Sequence, residues 1–334
     1  MDKTVLLAHG SGGKLSRELI QKYLLPALAN PILEQMNDSA VFEFNGNLAF
    51  TTDSFVVNPL FFPGGDIGKL AICGTINDLA MSGAKPLFLS LGLIIEEGLP
   101  LADLEKVMAS IRTAAEEARV RIVTGDTKVV NRGGADKLFI NTAGIGLVGP
   151  GVNIAGANAR PGDKVILSGS IGEHGIAVMA QRQGLRFKVP VESDCAPLGS
   201  LVARMLAQAE AIHCLRDPTR GGLATTLNEL AAQSGVGIRI YEDKIPLHEA
   251  VASACAMLGL DPLYVANEGK LVAIVAAEKA ESILAIMKRH RYARNSAVIG
   301  EVRAENPGRL VMRTRLGTSR IVDMLSGELL PRIC

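Results

Sequence analysis

Apolar and polar side chains follow two different periods along the first part of the chain. Before Pro31, apolar residues recur at helical spacing and predict a helix, at Leu15, Leu19, Tyr23 and Leu28. Two short apolar runs, residues 41–44 and 48–52, flank Asn45-Gly46, a preferred dipeptide for a two-residue hairpin turn. The chain is therefore expected to begin with a helix followed by a β-hairpin.

Helices and strands alternate along the rest of the chain and predict an α/β protein with α+β character. In the first half, the predicted helices are 67–82 and 101–118, and the predicted strands are 86–95, 121–124 and 137–149. After residue 163, strands are predicted at 164–168, 237–241 and 271–276 and near 298, 310 and 320, and helices at 175–183, 198–209, 222–234, 247–258 and 280–290.

The composition changes at residues 151–163, which are rich in Gly, Asn and Pro and have no apolar period. This stretch predicts a boundary between a domain of residues 1–152 and a second domain of residues 153–334. Residues 324–334 contain Gly and Pro without a sustained period, and we expect them to form a mobile tail that ends in Cys334.

Composition and charge exclude several classes of function. The 334 residues carry 35 Lys and Arg against 34 Asp and Glu, so there is no general field for nucleic acid or an anionic membrane. No run approaches the ~20 apolar residues of a membrane span. The five cysteines form no C-x-x-C pair and the five histidines share no metal-ligand spacing, which argues against a zinc site. We expect a cytoplasmic protein with reduced thiols.

Two strings resemble nucleotide-binding motifs without matching them. Residues 144–149 fit G-x-G-x-x-G, but Pro150-Gly151 follows where a dinucleotide fold needs a helix. Residues 9–16, HGSGGKLS, resemble a P-loop, but Leu15 occupies the Ser/Thr position. Two interpretations remain open for this loop: a flexible leader, or a phosphate-facing loop in which backbone N–H groups form an anion nest, with Gly10, Gly12, Gly13 and Lys14.

Four aspartates are candidates for a metal site. A hairpin turning at Asn45-Gly46 places Asp38 opposite Asp53, with Cβ atoms about 5 Å apart. Asp78 lies on a largely apolar predicted helix, and Asp126 follows a predicted strand. Taken alone, Asp38 or Asp126 is more simply interpreted as a residue that caps a helix or stabilises a turn. Together the four carboxylates favour a site for Mg²⁺ and a polyphosphate.

Four further residues stand out by position. Glu268 lies in a polar Asn-Glu-Gly-Lys loop, Lys128 follows Gly-Asp-Thr, Arg220 lies in Asp-Pro-Thr-Arg-Gly-Gly, and Cys334 is the last residue. On residue type alone, the first two are solvated loop charges, Arg220 caps local backbone or neutralises phosphate, and Cys334 is an incidental surface residue. The last eight residues span roughly 26 Å when extended, which is enough to carry the thiol between two sites.

The motifs together resemble the PurM-like, AIR synthase related superfamily of ATP-binding proteins. The similarity covers His9 to Gly13, residues 37–40, 51–54 and 77–84, and Gly125-Asp126-Thr127. That superfamily includes aminoimidazole ribonucleotide synthetase, formylglycinamide ribonucleotide amidotransferase, thiamine-phosphate kinase and selenophosphate synthetase. More narrowly, residues 217–223, residues 267–270 and the terminal Pro-Arg-Ile-Cys resemble the HypE family of hydrogenase maturation factors.

The resemblance implies a fold and a reaction. It implies two PurM-like domains, the first with a sheet that forms a β-barrel across a homodimer, and a need for ATP and Mg²⁺. A carbamoyltransferase, HypF, would load a carboxamide on Cys334, which is then dehydrated to a thiocyanate, and the cyanide would pass to iron on a HypC–HypD complex.

The same resemblance assigns roles to residues. Glu268 would be the proton acceptor and Lys128 the cation that stabilises phosphoryl oxygens or the polarised amide. Metal would be held by Asp38, Asp53, Asp78 and Asp126. The nucleotide would be held by Gly10, Gly12, Gly13, Lys14, Asp53, Asp78, Asp126, Thr127 and Arg220.

Two alternatives compete with this function. Another superfamily enzyme that activates a small amide or phosphate substrate would make Cys334 dispensable. A non-catalytic carrier would present a ligand on its terminal thiol while ATP only gates its shape. Independently, the first half has too few predicted strands to cover both faces of a sheet, so we expect a homodimer through the N-terminal domain.

Overall fold

The computed structural model describes residues 4–6, 9, 18–32, 34, 45–185, 187, 189–325, 330 and 332–334. A π-helical segment Ile20–Leu24 continues into helix α1 (Leu25–Leu28). The elements that follow in the first half are β1 (Asn47–Phe55), β2 (Phe61–Phe62), β3 (Gly65–Asp66), α2 (Ile67–Met81), β4 (Ala84–Glu96), α3 (Leu101–Ala118), β5 (Arg121–Val130) and β6 (Leu138–Val148).

The first half folds into a four-stranded sheet with the strand order β1-β6-β4-β5. Its pairs are antiparallel except β4 and β5, which are parallel. Helices α2 and α3 pack on one face. A Cβ at Gly68 of α2 would lie 2.7 Å from the Val107 carbonyl oxygen of α3, so glycine is required where the helices touch. Within the described residues of one chain this sheet is open and does not close into a barrel.

The sequence explains both ends of α2. The Asp66 side chain caps its N-terminus by accepting bonds from the N–H groups of Gly68 at 2.7 Å and Lys69 at 3.0 Å. Gly83, at φ +71°, ends the helix in the left-handed conformation that favours glycine. Nearly every side chain of α2 is buried, so this helix forms the centre of the first half.

The second half forms a seven-stranded sheet with the order β13-β12-β9-β11-β7-β10-β8, in which only β12 and β9 pair in parallel. Its elements are β7 (Lys164–Leu167), α4 (Glu173–Gln183), α5 (Gly199–Met205), a 3₁₀ segment Leu206–Ala211, β8 (Ile212–Arg216), α6 (Gly222–Ser234), β9 (Gly237–Tyr241), α7 (Glu249–Leu258), β10 (Val272–Val275), α8 (Ala280–Lys288), β11 (Ala297–Arg303), β12 (Leu310–Arg313) and β13 (Ser319–Val322). No helix among the described residues could span a membrane.

Most of the predicted elements are confirmed, including the helices at 101–118 and 222–234 and the strand at 237–241. One prediction is wrong, and one strand of the second sheet was missed. The strand from Arg121 extends to Val130, so Asp126 lies within β5 and does not follow it. Strand β8 was not predicted, because a short segment buried on both faces shows no alternation.

Some predictions concern residues that the structure does not describe. The first strand of the predicted hairpin, 41–44, lies outside the described residues, as does Asp38. The described partner of β1 is β6, with Asp53 opposite Thr142. The segment between β6 and β7 contains no helix or strand, and the domain boundary within it stays a prediction.

Asn77 of α2 joins the two halves at their centre. It is 1% exposed, and its amide nitrogen donates to the carbonyl oxygens of Ala196 at 3.1 Å and Glu268 at 3.2 Å. Its amide oxygen accepts the Leu198 N–H at 2.7 Å. One side chain thus satisfies three backbone groups of the second half, which would otherwise be buried without partners.

We expect Asn77→Ala to lower the free energy of unfolding by about 3 kcal/mol, because it leaves those buried backbone groups unpaired. Urea denaturation measures the change. The exposed Asn153→Ala is the matched control, with an expected change within about 0.5 kcal/mol. A loss below 1 kcal/mol for Asn77→Ala would contradict this role.

Candidate active site

Three carboxylates face one another at the seam between the sheets. Asp53 lies near the end of β1, Asp78 on α2, and Asp217 directly after β8. On β1, Thr51 and Asp53 point inward with Phe55, towards α2. The Thr51 hydroxyl donates to Asp78 Oδ2 at 3.1 Å, and the Ser54 N–H donates to Asp53 Oδ1 at 2.7 Å.

The electrostatics of this cluster favour a cation. Burial, with Asp53 adding repulsion, raises the pKa of Asp78 to about 6. Burial and the neighbouring Asp78 raise the pKa of Asp217 to about 7. Burial also raises the pKa of Asp53. Partly desolvated carboxylates that repel one another are stabilised by a bound positive charge.

Arg216 and Arg220 are cations near this cluster: Arg216 acts on Asp78 and Asp217, and Arg220 also reaches the end of the chain. Arg220 influences the ionisation of Asp53, Asp78 and Cys334. The turn behind it needs glycine, since Gly222 has φ +61° and a Cβ there would lie 2.5 Å from the Leu263 carbonyl oxygen. Arg220 lines two cavities, one of about 500 Å³ beside Asp78 and Asp217 and one of about 340 Å³ beside Cys334.

Glu268 is buried beside the cluster. It is 4% exposed, and its Oε1 has no hydrogen-bond partner among the described residues. Burial, reinforced by surrounding acidic groups, raises its pKa well above the ordinary value. The simple interpretation of Glu268 as a solvated loop charge is therefore wrong.

A second acid, Asp194, holds the Glu268 loop in place. Its carboxylate accepts the N–H groups of Glu268 at 3.1 Å and Gly269 at 3.0 Å and pairs with the Lys270 ammonium at 3.1 Å. Burial opposes ionisation of Asp194, but Lys270 holds its pKa below the usual value. A Cβ at Gly269 would lie 1.8 Å from the Asp194 carbonyl oxygen, so the loop requires glycine there.

The end of the chain docks beside Glu268. The Val56 N–H donates to the Cys334 carbonyl oxygen at 3.2 Å, and Ile333 is 3% exposed within the core of the first half. Burial, followed by the charge of Glu268 and opposed by Arg220, raises the pKa of the Cys334 thiol to about 12. The structure describes one docked position for Ile333 and Cys334, and the mobility of the tail stays a prediction.

Not every candidate residue lies in this cluster. Asp126 and Lys128 form an exposed ion pair at 2.8 Å on β5, and Thr127 lies between them. Strands β5 and β1 are opposite edges of the four-stranded sheet, so about three strand spacings, roughly 14 Å, separate them from Asp53. The remaining candidates lie outside the described residues: Gly10, Gly12, Gly13, Lys14 and Asp38.

Two site residues were not predicted from the sequence, Asp217 and Asp194. Asp217 begins the Asp-Pro-Thr-Arg motif directly after a strand, and that position was the available signal. Asp194 had no comparable signal, because its partners are 74 to 76 residues away. Among the residues that the structure describes, no three His, Cys, Asp or Glu side chains already form a metal shell.

We expect the stability of the metal-free protein to fall as pH rises from about 4 to 8, because Asp78 and Asp217 bind protons more tightly when folded than when unfolded. Asp217→Asn removes one of the two buried charges that cause this loss of stability. It should raise the free energy of unfolding by about 2 kcal/mol at pH 8 and leave it nearly unchanged at pH 4.

Urea denaturation at both pH values, with chelator present, measures this effect. Asp126→Asn is the matched control and should give no gain at pH 8, because the Lys128 hydrogen bond already lowers the pKa of the exposed Asp126. An equal gain at both pH values for Asp217→Asn would contradict the electrostatic explanation.

The chain resembles proteins of one family over nearly its whole length. The AIR synthase related protein N-terminal domain matches residues 36–148, and the C-terminal domain matches residues 160–313. Carbamoyl dehydratase HypE of Azotobacter vinelandii is 54% identical over 332 residues, which cover 99% of this chain and 97% of that protein.

Two solved structures are similar throughout. A crystal structure of hydrogenase maturation protein HypE in complex with ATP has a TM-score of 0.96 at 50% identity and covers 99% of this chain and 100% of its own. A HypE-HypF complex has a TM-score of 0.82 at 51% identity and covers 94% of this chain and 100% of its own. The fold, the motifs and these similarities show that the chain belongs to the AIR synthase related family, among the HypE carbamoyl dehydratases.

Proposed function

We propose that the protein dehydrates a carbamoyl group on its own Cys334 to a thiocyanate, in an ATP-dependent step that supplies cyanide for [NiFe]-hydrogenase maturation. One observation supports this most directly: the docked tail places Cys334 in a cavity that Arg220 also lines, within range of the charge of Glu268. A group carried on that sulfur would reach a buried carboxylate and a cation without leaving the chain.

Glu268 is the proposed proton acceptor. Converting S–C(=O)NH₂ to S–C≡N removes one water, so two N–H protons and the oxygen must leave. A carboxylate whose pKa is raised by burial is a stronger base than a solvated one, and Oε1, which has no hydrogen-bond partner among the described residues, is available to take a proton. Asn77 and Asp194 fix the backbone of Glu268 from two sides and thereby its position.

The residues of the cluster fit a magnesium nucleotide. Hard carboxylate oxygens with mutual repulsion and raised pKa values suit Mg²⁺, and Arg220 suits a phosphate. Asp53 and Asp78 would hold the metal, joined by Asp217 and, from the sequence prediction, Asp38. When bound, MgATP supplies the phosphoryl group that makes the amide oxygen a leaving group.

The docking also bears on the two competing functions. An enzyme that acts on a separate small molecule has no use for Cys334 at the acidic cluster. A carrier has no use for a buried carboxyl group near the thiol. The HypE-HypF complex is the basis for proposing HypF as the partner that loads Cys334. We further propose a HypC–HypD iron complex as the cyanide acceptor and the cytoplasm as the location.

Cys334→Ala should keep ATP affinity but accept no carbamoyl group, whereas Glu268→Gln and Lys128→Ala should still be loaded. The loaded Glu268→Gln and Lys128→Ala tails should not lose the mass of one water with MgATP, because proton removal or charge stabilisation is missing. The mass of the C-terminal peptide, with and without MgATP, measures each step.

Cys255→Ala, a change at a buried thiol outside the tail, is the control and should be loaded and dehydrated normally. Cyanide delivery by Cys334→Ala would overturn the proposed function. Dehydration at the normal rate by Glu268→Gln would contradict its role as the base.

We also propose a homodimer in which two four-stranded sheets face each other in a barrel. Among the described residues of one chain, nothing covers the outward face of the sheet, which bears large apolar side chains, among them Phe50 at 71% exposure and Leu48 at 48%. Phe50, Ile145 and Phe88 lie in one row across three strands of that face. A second copy would bury this row and offers a way to bring Lys128 and Asp126 to an acidic cluster.

Phe50→Asp should convert the dimer to a monomer, because a buried charge at the centre of the apolar row costs several kcal/mol. Sedimentation velocity at micromolar concentration measures the state. Leu316→Asp, which changes an exposed leucine in the turn between β12 and β13, is the control and should leave the dimer intact. A wild-type monomer with full ATPase activity would contradict the proposal.

A further inference from the structure

The last three residues are held by their backbone and by two side chains. The carbonyl oxygens of Arg332, Ile333 and Cys334 all accept hydrogen bonds, Ile333 is buried, and the Arg332 guanidinium donates to the Val56 carbonyl oxygen at 3.1 Å. Among the described residues, none of these bonds uses the Cys334 sulfur. The docking therefore leaves the reacting atom unengaged.

His174 of α4 makes the most buried of these contacts. Its Nε2 lies 2.8 Å from the Ile333 carbonyl oxygen and its Nδ1 lies 2.8 Å from Ser193 Oγ. A carbonyl oxygen only accepts, so Nε2 carries the hydrogen and donates. In the neutral imidazole, Nδ1 then accepts from the Ser193 hydroxyl, which itself accepts the Cys195 N–H at 3.1 Å.

Burial fixes this arrangement. His174 is completely buried, which lowers its pKa and keeps the ring neutral. Its ring also packs edge-on against Phe62, with 5.4 Å between centroids. The imidazole therefore has one orientation and one tautomer in which it presents a single donor to the tail.

Arg182, on the same helix, makes the second contact. Its Nη2 donates to the Arg332 carbonyl oxygen at 2.7 Å and its Nε donates to the Asn58 carbonyl oxygen at 2.6 Å. The N–H groups of Val56 and Asn58 donate to the carbonyl oxygens of Cys334 and Arg332. The tail therefore runs antiparallel to the segment that directly follows β1. Arg182 joins the two segments from the side.

We propose that His174 and Arg182 are positioning residues that dock the terminal segment through the carbonyl groups of Ile333 and Arg332, with the Cys334 thiol directed to Glu268 whatever group that sulfur carries. This inference rests on the proposed function only for the chemistry that follows docking. Because the thiol takes no part, free and carbamoylated tails should dock with the same bonds. Loading by a partner requires those bonds to break.

Weakening the docking should therefore make Cys334 more accessible to reagents and to the loading partner, and should slow the dehydration that follows. In His174→Ala, Cys334 should be alkylated by iodoacetamide about tenfold faster, the effect expected for losing one buried hydrogen bond. Carbamoyl loading should be no slower, and the single-turnover loss of water with MgATP should be about tenfold slower. His174→Gln, whose amide can donate like Nε2–H, should restore both rates to within about threefold of wild type.

Three further variants keep the test decisive. Arg182→Ala should increase Cys334 alkylation about threefold or more. Ile333→Ala changes only the tail, so it should also increase alkylation even if His174→Ala folds poorly. His290→Gln, at a buried histidine that bonds Ser200, is the matched control and should change nothing.

The mass of the C-terminal peptide shows whether Cys334 is alkylated. The other four cysteines are buried and should react more slowly. Unchanged alkylation in Ile333→Ala and in folded His174→Ala would overturn the docking role, and so would a failure of His174→Gln to rescue. If wild type is never dehydrated, the proposed function fails while the alkylation result still decides the positioning role.

Discussion

The burial of several carboxylates at the seam between two sheets is the constraint on which the rest of this structure depends. Asp53, Asp78, Asp217 and Glu268 are held where water is scarce and like charges are close, and each has a raised pKa. A fold tolerates such a cluster only if the backbone around it is fixed by other bonds. Asn77 and the Asp194–Lys270 pair provide those bonds. A cationic ligand would relieve the repulsion between the clustered carboxylates.

The same seam explains how one chain would be both catalyst and substrate in the proposed reaction. The rigid parts, α2 and the Glu268 loop, lie in the core and carry the charged groups. The terminal segment is attached by a few carbonyl bonds, by the buried side chain of Ile333, and by the Arg332 guanidinium, which bonds the Val56 carbonyl oxygen and pairs with Asp136. Each such hydrogen bond contributes on the order of 1 kcal/mol. An attachment of that strength holds the thiol in place and is still weak enough to be released to a partner.

The candidate site was predictable where the functional residues lie in short motifs of neighbouring residues. Cys334, Glu268 and Arg220 lie in short motifs of unusual composition, and the structure brings all three together. Asp194 lies in no such motif, because its role comes from accepting N–H groups of a loop more than 70 residues away. Lys128 and Asp126 lie on the far edge strand in one chain, and only the arrangement of a second copy could bring them to the acidic cluster.

The sequence by itself determined most of the elements, since hydrophobic periodicity and glycine at helix ends are local properties. It did not determine the strand order, the missed strand β8, the partner of β1 or the docked tail. Each of these depends on hydrogen bonds and packing between segments far apart in the chain, such as Cys334 with Val56 and His174 with Ile333. Local patterns specify which face of an element is apolar, whereas only the assembled core decides which other segment covers that face.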